Sequence, residues 1–307
     1  MAGRILIIRG GAIGDFILTL PAIGLIRQNL PEARIEILGY SGIASLALSP
    51  EYADAVHSIE YGPLARFFSR RPTLDPEMVN FFTGYQQIIS YLYDPDGIFE
   101  GNLRTAGVKN LLTGPGKLSD DIHAIQQLAR PLEKLAFFLE EKAASFSPSS
   151  ADLEAAASTL DSVPSPFIAL HPGSGGKKKN WSIENWQQLI RDLQDQGRSI
   201  LLVGGEADDA QLGLLAEQFQ LPLAKDLPLR ILGAVLSRSH LFVGHDSGIS
   251  HLAAAAGARC ILLFGPTDPD IWGPQNPNVE IVVSPDGMME GIPFEQVAAK
   301  LQAVLSE

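Results

Sequence analysis

His245-Asp246-Ser247-Gly248 places a carboxylate, a hydroxyl and a glycine between an apolar run that ends at His245 and a small-residue run, Ala253 to Gly257. The spacing predicts a strand, a loop and a helix start. Unpaired backbone N–H groups and the positive end of a helix dipole favour an anion at such a point. A plain helix cap by Asp246 or Ser247 is the alternative reading. Upstream, HPGSGGKKKNW sets Gly173, Gly175 and Gly176 beside Lys177, Lys178 and Lys179. Glycines allow close backbone approach and positive φ, and lysines supply charge, so the loop suits a polyphosphate; a solvated loop is the other reading. Glu206 directly follows the apolar run SILLVGG. Near the N-terminus, Asp15 follows the turn Gly10-Gly11-Ala12-Ile13-Gly14. There it can cap a helix or, held in a cleft, act as a general base.

These residues need strands and helices to hold them. RILIIR is an apolar strand, followed by the glycine turn, a helix and a second strand, RIEILG, about twenty residues on. The spacing is GGxxG rather than GxGxxG and no acid ends the second strand, which argues against a nicotinamide or flavin site. From Phe167 the pattern recurs as strand, glycine loop and helix, with Ser182 as N-cap, Trp186 and Leu189 on one face and Gly197 as the stop. Open parallel sheets bind ligands beyond the carboxyl ends of their strands, so the lysine loop, Glu206 and the Asp246 loop should share one edge. The fold class expected is α/β, two Rossmann-like doubly wound domains. Serine and proline cluster between Ser145 and Pro166, which sets domains at 1–155 and 156–290, with a closing helix in 291–307. Asp121 to Glu141 reads as a long helix kinked at Pro131.

Other features carry weaker chemistry. Asp94-Pro95-Asp96 and Asp268-Pro269-Asp270 fit a D-x-D metal pattern, but proline at the centre makes each a turn first. His245 and His251 lack the i, i+4 spacing of a zinc helix, so no metal site is assigned. Arg66, Arg70 and Arg71 interleave with Phe67 and Phe68, as a grip for a phosphorylated acceptor or as a surface helix with solvated arginines. The chain has 307 residues, enough for two cores, and one cysteine, Cys260, in an apolar run that suits a reducing cytosol. A net charge of −12 argues against nucleic acid and against tight adhesion to an anionic membrane. Neither a leader pattern nor an apolar run of membrane-spanning length stands out. A cytoplasmic enzyme is expected, with at most peripheral membrane contact.

RGGAIGDFILTLPAIGLIRQNLPEARI, LHPGSGGKKKNWSIENW, LLVGGEADD and VGHDSGISHLAAAAGARCILLFGPTDP, in that order, resemble the successive signatures of glycosyltransferase family 9, the ADP-heptose:lipopolysaccharide heptosyltransferases. The resemblance implies a GT-B architecture: two Rossmann-like domains facing across a cleft, acceptor contacts in the first, the donor in the second, and a last helix packing back across. It implies Asp15 as the base on the acceptor hydroxyl, Lys179 on the donor phosphates and Ser174 near the diphosphate. It also puts Glu206 close to the nucleoside, Asp246 on the donor sugar, and Ser247, Gly248 and His251 around the diphosphate. Two departures bear on this. Gly10-Gly11 replaces a hydroxyl pair before the xGD motif, and two extra lysines leave open which of Lys177, Lys178 and Lys179 meets the phosphates. The activity implied is inverting transfer of heptose, or a related sugar, from ADP-heptose to a lipopolysaccharide core or similar lipid-linked or phosphorylated glycan. No cofactor is required, though Mg²⁺ is compatible. A GT-B epimerase or hydrolase, which would need no acceptor site, and a non-catalytic nucleotide-sugar-binding protein are the alternatives.

Overall fold

The computed structural model describes residues 3–205 and 209–306. They form two compact units, Met1–Lys142 and Ala143–Glu307. The first holds five parallel strands, β1 (Arg4–Arg9), β2 (Arg34–Gly39), β3 (Ala55–Ser58), β4 (Gln87–Ser90) and β5 (Leu111–Thr113), in the order β3-β2-β1-β4-β5. β1 is central and buried beyond its first residue, as its uninterrupted apolar run requires of a parallel strand covered on both faces. Leu6, Ile8, Leu38, Phe67, Phe82 and Phe99 belong to one core of this unit.

One buried acid interrupts the apolar pattern of these strands. Glu36, in the middle of β2, is 2% exposed. Its carboxylate accepts from Arg4 Nη2 at 2.9 Å, Arg34 Nε at 2.8 Å and the Tyr85 hydroxyl at 2.8 Å, and lies 2.6 Å from His57 Nε2. Burial works against its ionisation, but the hydrogen bonds from His57, Arg34, Tyr85 and Arg4 prevail and hold its pKa down at about 2.

The second unit holds β6 (Phe167–His171), β7 (Ser199–Gly204), β8 (Leu223–Lys225), β9 (Leu241–His245), β10 (Cys260–Phe264) and β11 (Val279–Val283), ordered β11-β10-β9-β6-β7-β8. Every pairing is parallel. β6 and β9 are neighbours from which the chain winds in opposite directions, so a crevice opens beyond their carboxyl ends. The helix Ile183–Asp195 begins as expected, the Ser182 hydroxyl accepting from Asn185 N at 3.2 Å, and buries Trp186, Leu189, Ile190 and Leu193. Gly197 at φ +69° and Gly257 at φ +82° follow helix ends, which favours glycine. Cys260 is buried in β10, where burial pushes its thiol pKa up.

The units part between Lys142 and Ala143, ahead of the boundary expected at 155/156. The reason is the helix Ser150–Leu160, which packs on the helix Leu229–Leu236. Arg230 ties the two, its guanidinium 2.6 Å from Asp152 and stacked 5.3 Å from the ring centre of Phe146. Pro131 ends a helix rather than kinking one: Ala124–Ala129 is α-helical and Arg130–Leu135 a 3-10 turn. The closing helix, Phe294–Ser306, seats Val297, Leu301 and Val304 in the second unit's own core. Among the described residues no helix is long and apolar enough to cross a membrane.

Candidate active site

Three loops meet beyond the carboxyl ends of β6, β9 and β10, which lie side by side with His171 opposite Gly244 and Leu263 opposite His245. The β6 loop passes through the 3-10 turn Lys177–Lys179 and settles which lysine turns inward. Lys179 Nζ lies 2.6 Å from Asp246 Oδ2. The Thr267 hydroxyl, on the loop after β10, donates to the same oxygen at 2.8 Å, and His251 Nε2 lies 3.8 Å from Oδ1. Asp246 is 8% exposed. Burial alone would raise its pKa, yet contacts with His251 and Lys179 hold it well below the usual carboxylate range.

Ser247, not Asp246, caps the helix Gly248–Ala255, accepting from Ser250 N at 3.2 Å. The first-turn N–H groups of that helix therefore open beside the Lys179–Asp246 pair, giving an anion site with a fixed cation at its edge. His245 braces the floor. Its Nε2 accepts from Trp181 N at 2.9 Å and its Nδ1–H donates to the Gly173 carbonyl at 3.1 Å, an arrangement that only the neutral Nδ1–H tautomer satisfies. Trp181 is in turn pinned by its indole N–H to the Ile292 carbonyl at 3.0 Å, which fixes the backbone two residues from Lys179.

Other expected residues play smaller parts. Ser174 is turned into its own loop, its hydroxyl 2.6 Å from Asn180 Oδ1. Gly175 and Gly176 sit at ordinary φ with open space where a Cβ would stand, so the positive φ expected there is not used. Glu206 lies outside the described residues. Thr267 and His171, whose Nδ1 is 3.3 Å from the Ser247 hydroxyl, join the cluster without having been singled out in the sequence. The signal for Thr267 was its place in FGPTDP, a hydroxyl just after an apolar strand.

In the first unit, β1 ends at the glycine turn and the helix Ile13–Ile17 begins. Asp15 is the third residue of that helix rather than its cap, its Oδ2 accepting from Ala12 N at 3.2 Å. Its side chain is 39% exposed and its Oδ1 lies 3.8 Å from Arg9 Nη2. Gly11 takes φ +101°, and a Cβ there would stand 3.2 Å from Asp15 Oδ2. The arginine segment forms a 3-10 helix, Gly62–Phe68, with Phe67 buried and Phe68 stacked on Phe99 at 4.7 Å. Arg66 donates to the Thr73 carbonyl at 3.1 Å, while Arg70, 81% exposed, has a loose 3.4 Å contact with Asp96. The two D-x-D segments act as turns: Asp94 accepts from Phe99 N and Glu100 N, and Asp268 from Asp270 N. Among the described residues no group of three or more His, Cys, Asp or Glu side chains is placed to hold a metal.

The family model described as glycosyltransferase family 9 (heptosyltransferase) matches residues 122–296, more than half of the chain. The chain belongs to glycosyltransferase family 9. It is a glycosyltransferase, and the span that matches holds the whole second-unit cluster, while Asp15 and the three arginines precede it. Among curated proteins, this family 9 chain is 25% identical over 297 residues to lipopolysaccharide heptosyltransferase 3 of Escherichia coli, covering 87% of this chain and 84% of that one. Among solved structures, a family 9 glycosyl transferase from Veillonella parvula superposes with a TM-score of 0.83 at 17% identity, over 99% of this chain and 97% of that one. E. coli heptosyltransferase WaaC with ADP-2-deoxy-2-fluoro heptose gives a TM-score of 0.71 at 19% identity, over 98% and 99%. At these identities the likeness establishes the fold, which is GT-B.

Proposed function

We propose that the protein transfers heptose from ADP-heptose, with inversion, to the saccharide of a lipid-linked, lipopolysaccharide-type acceptor. The observation that carries this is the Lys179–Asp246–Thr267 cluster at the start of the helix Gly248–Ala255. The names of the relatives supply the sugar and the acceptor class.

Lys179 and the first-turn N–H groups take the charge that develops on the departing diphosphate. Asp246 is ionised and can only accept, so it suits hydroxyls of the donor sugar, and Ser174, Ser247 and His251 line the diphosphate. Glu206 is assigned to the nucleoside on sequence alone. Asp15 removes the proton from the acceptor hydroxyl, whose oxygen forms the new bond to the anomeric carbon while the bond to the β-phosphate oxygen breaks and ADP leaves with the electron pair. Arg66, Arg70 and Arg71 grip phosphates of the acceptor. Because lysine and a helix end meet the diphosphate, the reaction requires no metal, although Mg²⁺ remains compatible. The enzyme works from the cytoplasm, with peripheral contact at the inner face of the inner membrane where a lipid-linked acceptor is reached.

Calorimetric titration with ADP-heptose, UDP-glucose and GDP-mannose tests the donor. Saturable binding of ADP-heptose alone supports the reading, and preference for another donor discards the named substrate. Asp15→Asn should retain donor binding and lose about a hundredfold or more in kcat; transfer at the parental rate would remove Asp15 from the mechanism.

A further inference from the structure

Arg9 closes β1, and its guanidinium is 6% exposed, buried at the turn that leads to Asp15. Nη1 donates to the Tyr91 carbonyl at 3.3 Å, Nη2 donates to the Asp15 carbonyl at 3.2 Å and lies 3.8 Å from Asp15 Oδ1, and Nε has no hydrogen-bond partner. The group is charged in any protein environment, so a cation stands at the end of the central strand with one donor unsatisfied. For stability alone this is a poor arrangement, since an apolar side chain of similar length would fill the space without a desolvation penalty. The counter-ion is one-sided as well: Asp15 reaches the surface while Arg9 does not.

What the guanidinium does achieve is control of Asp15. It holds the residue at both its carbonyl and its Oδ1 side, the Thr19 hydroxyl donates to the same carbonyl at 2.8 Å, and Ala12 N fixes Oδ2. The carboxylate is thereby kept in one orientation, with its exposed edge free.

We propose that Arg9 is a positioning residue for the Asp15 base, acting through that carboxylate and touching neither substrate. The proposal rests on the reading of Asp15 as the base. It is tested with the parent, Arg9→Met, Arg9→Lys, Asp15→Asn and the Arg9→Met/Asp15→Asn pair, assayed for transfer from ADP-heptose to heptose-free lipopolysaccharide, for ADP affinity by calorimetry, and for thermal midpoint without substrates. Arg9→Met should lower kcat about 10- to 100-fold with ADP affinity and acceptor KM within about twofold, and Arg9→Lys should recover most of the loss. On the Asp15→Asn background the same change should remove less than about twofold more, because both residues act on one step. The midpoint of Arg9→Met should equal or exceed the parent's, a result that a merely structural arginine would not give. A parental kcat for Arg9→Met, losses that multiply in the pair, or a lowered midpoint accompanying the lost activity overturns the proposal. Parental turnover by Asp15→Asn would instead remove the base assignment beneath it.

Discussion

Replacing Glu36 by glutamine removes one charge from a site that was built around it. The folded protein holds this carboxyl at about 2 against a usual 4.5, a difference worth about 3 kcal/mol, or roughly 300-fold in an opening equilibrium. The amide keeps an acceptor oxygen but turns an NH2 group toward a site lined by the N–H and O–H donors of Arg4, Arg34 and Tyr85. Because the folded value lies below the unfolded one, the contribution is complete above the unfolded value and is lost as pH falls through the folded one. At neutral pH the full difference should appear, and at pH 3 about tenfold should remain. Hydrogen–deuterium exchange of peptides covering β1 and β2, compared between the parent and Glu36→Gln at both pH values, reads this ratio directly. Exchange within about threefold of the parent at pH 7, or an equal ratio at both pH values, would refute the account of Glu36 as an ionised, fourfold-held carboxylate.

The donor site gives a discriminating set. Lys179→Met should weaken ADP binding about tenfold or more in calorimetry, while Lys177→Met and Lys178→Met stay within about threefold, because Lys179 is the lysine that reaches Asp246. Gly11→Ala should lower both stability, by about 1 kcal/mol or more, and kcat, since it strains φ +101° and crowds Asp15 Oδ2 from 3.2 Å; thermal melting and turnover check it together. Exhaustive dialysis against EDTA should leave the transfer rate unchanged, and a rate restored only by Mg²⁺ would overturn the metal-free reading.

Much of this architecture was legible because fully covered parallel strands leave unbroken apolar runs, and glycine and serine mark where the helices between them stop and start. Ser182, Gly197 and Gly257 all perform the local tasks their types suggest. The convergence of the lysine loop with the Asp246 loop followed from the rule that ligands gather beyond the carboxyl ends of strands. Residues whose roles depend on which strand lies next to which were harder to see. Thr267 matters because β10 is beside β9, and Glu36 because β3 and the segment after Phe82 bring His57 and Tyr85 to it. Arg9 read simply as the last residue of a strand; only the turn's path shows that it backs Asp15. Three lysines in a row could not be told apart by type, and the 3-10 turn makes the choice.

The division at Lys142 also sorts the chromophores. All six tyrosines, Tyr40, Tyr52, Tyr61, Tyr85, Tyr91 and Tyr93, belong to the first unit, and all three tryptophans, Trp181, Trp186 and Trp272, to the second. Indole can be excited at the red edge of the band without exciting phenol, so the native protein carries a separate optical reporter for each unit. Steady-state indole emission from the unlabelled protein can therefore follow the unfolding of the second unit by itself, with no dye attached.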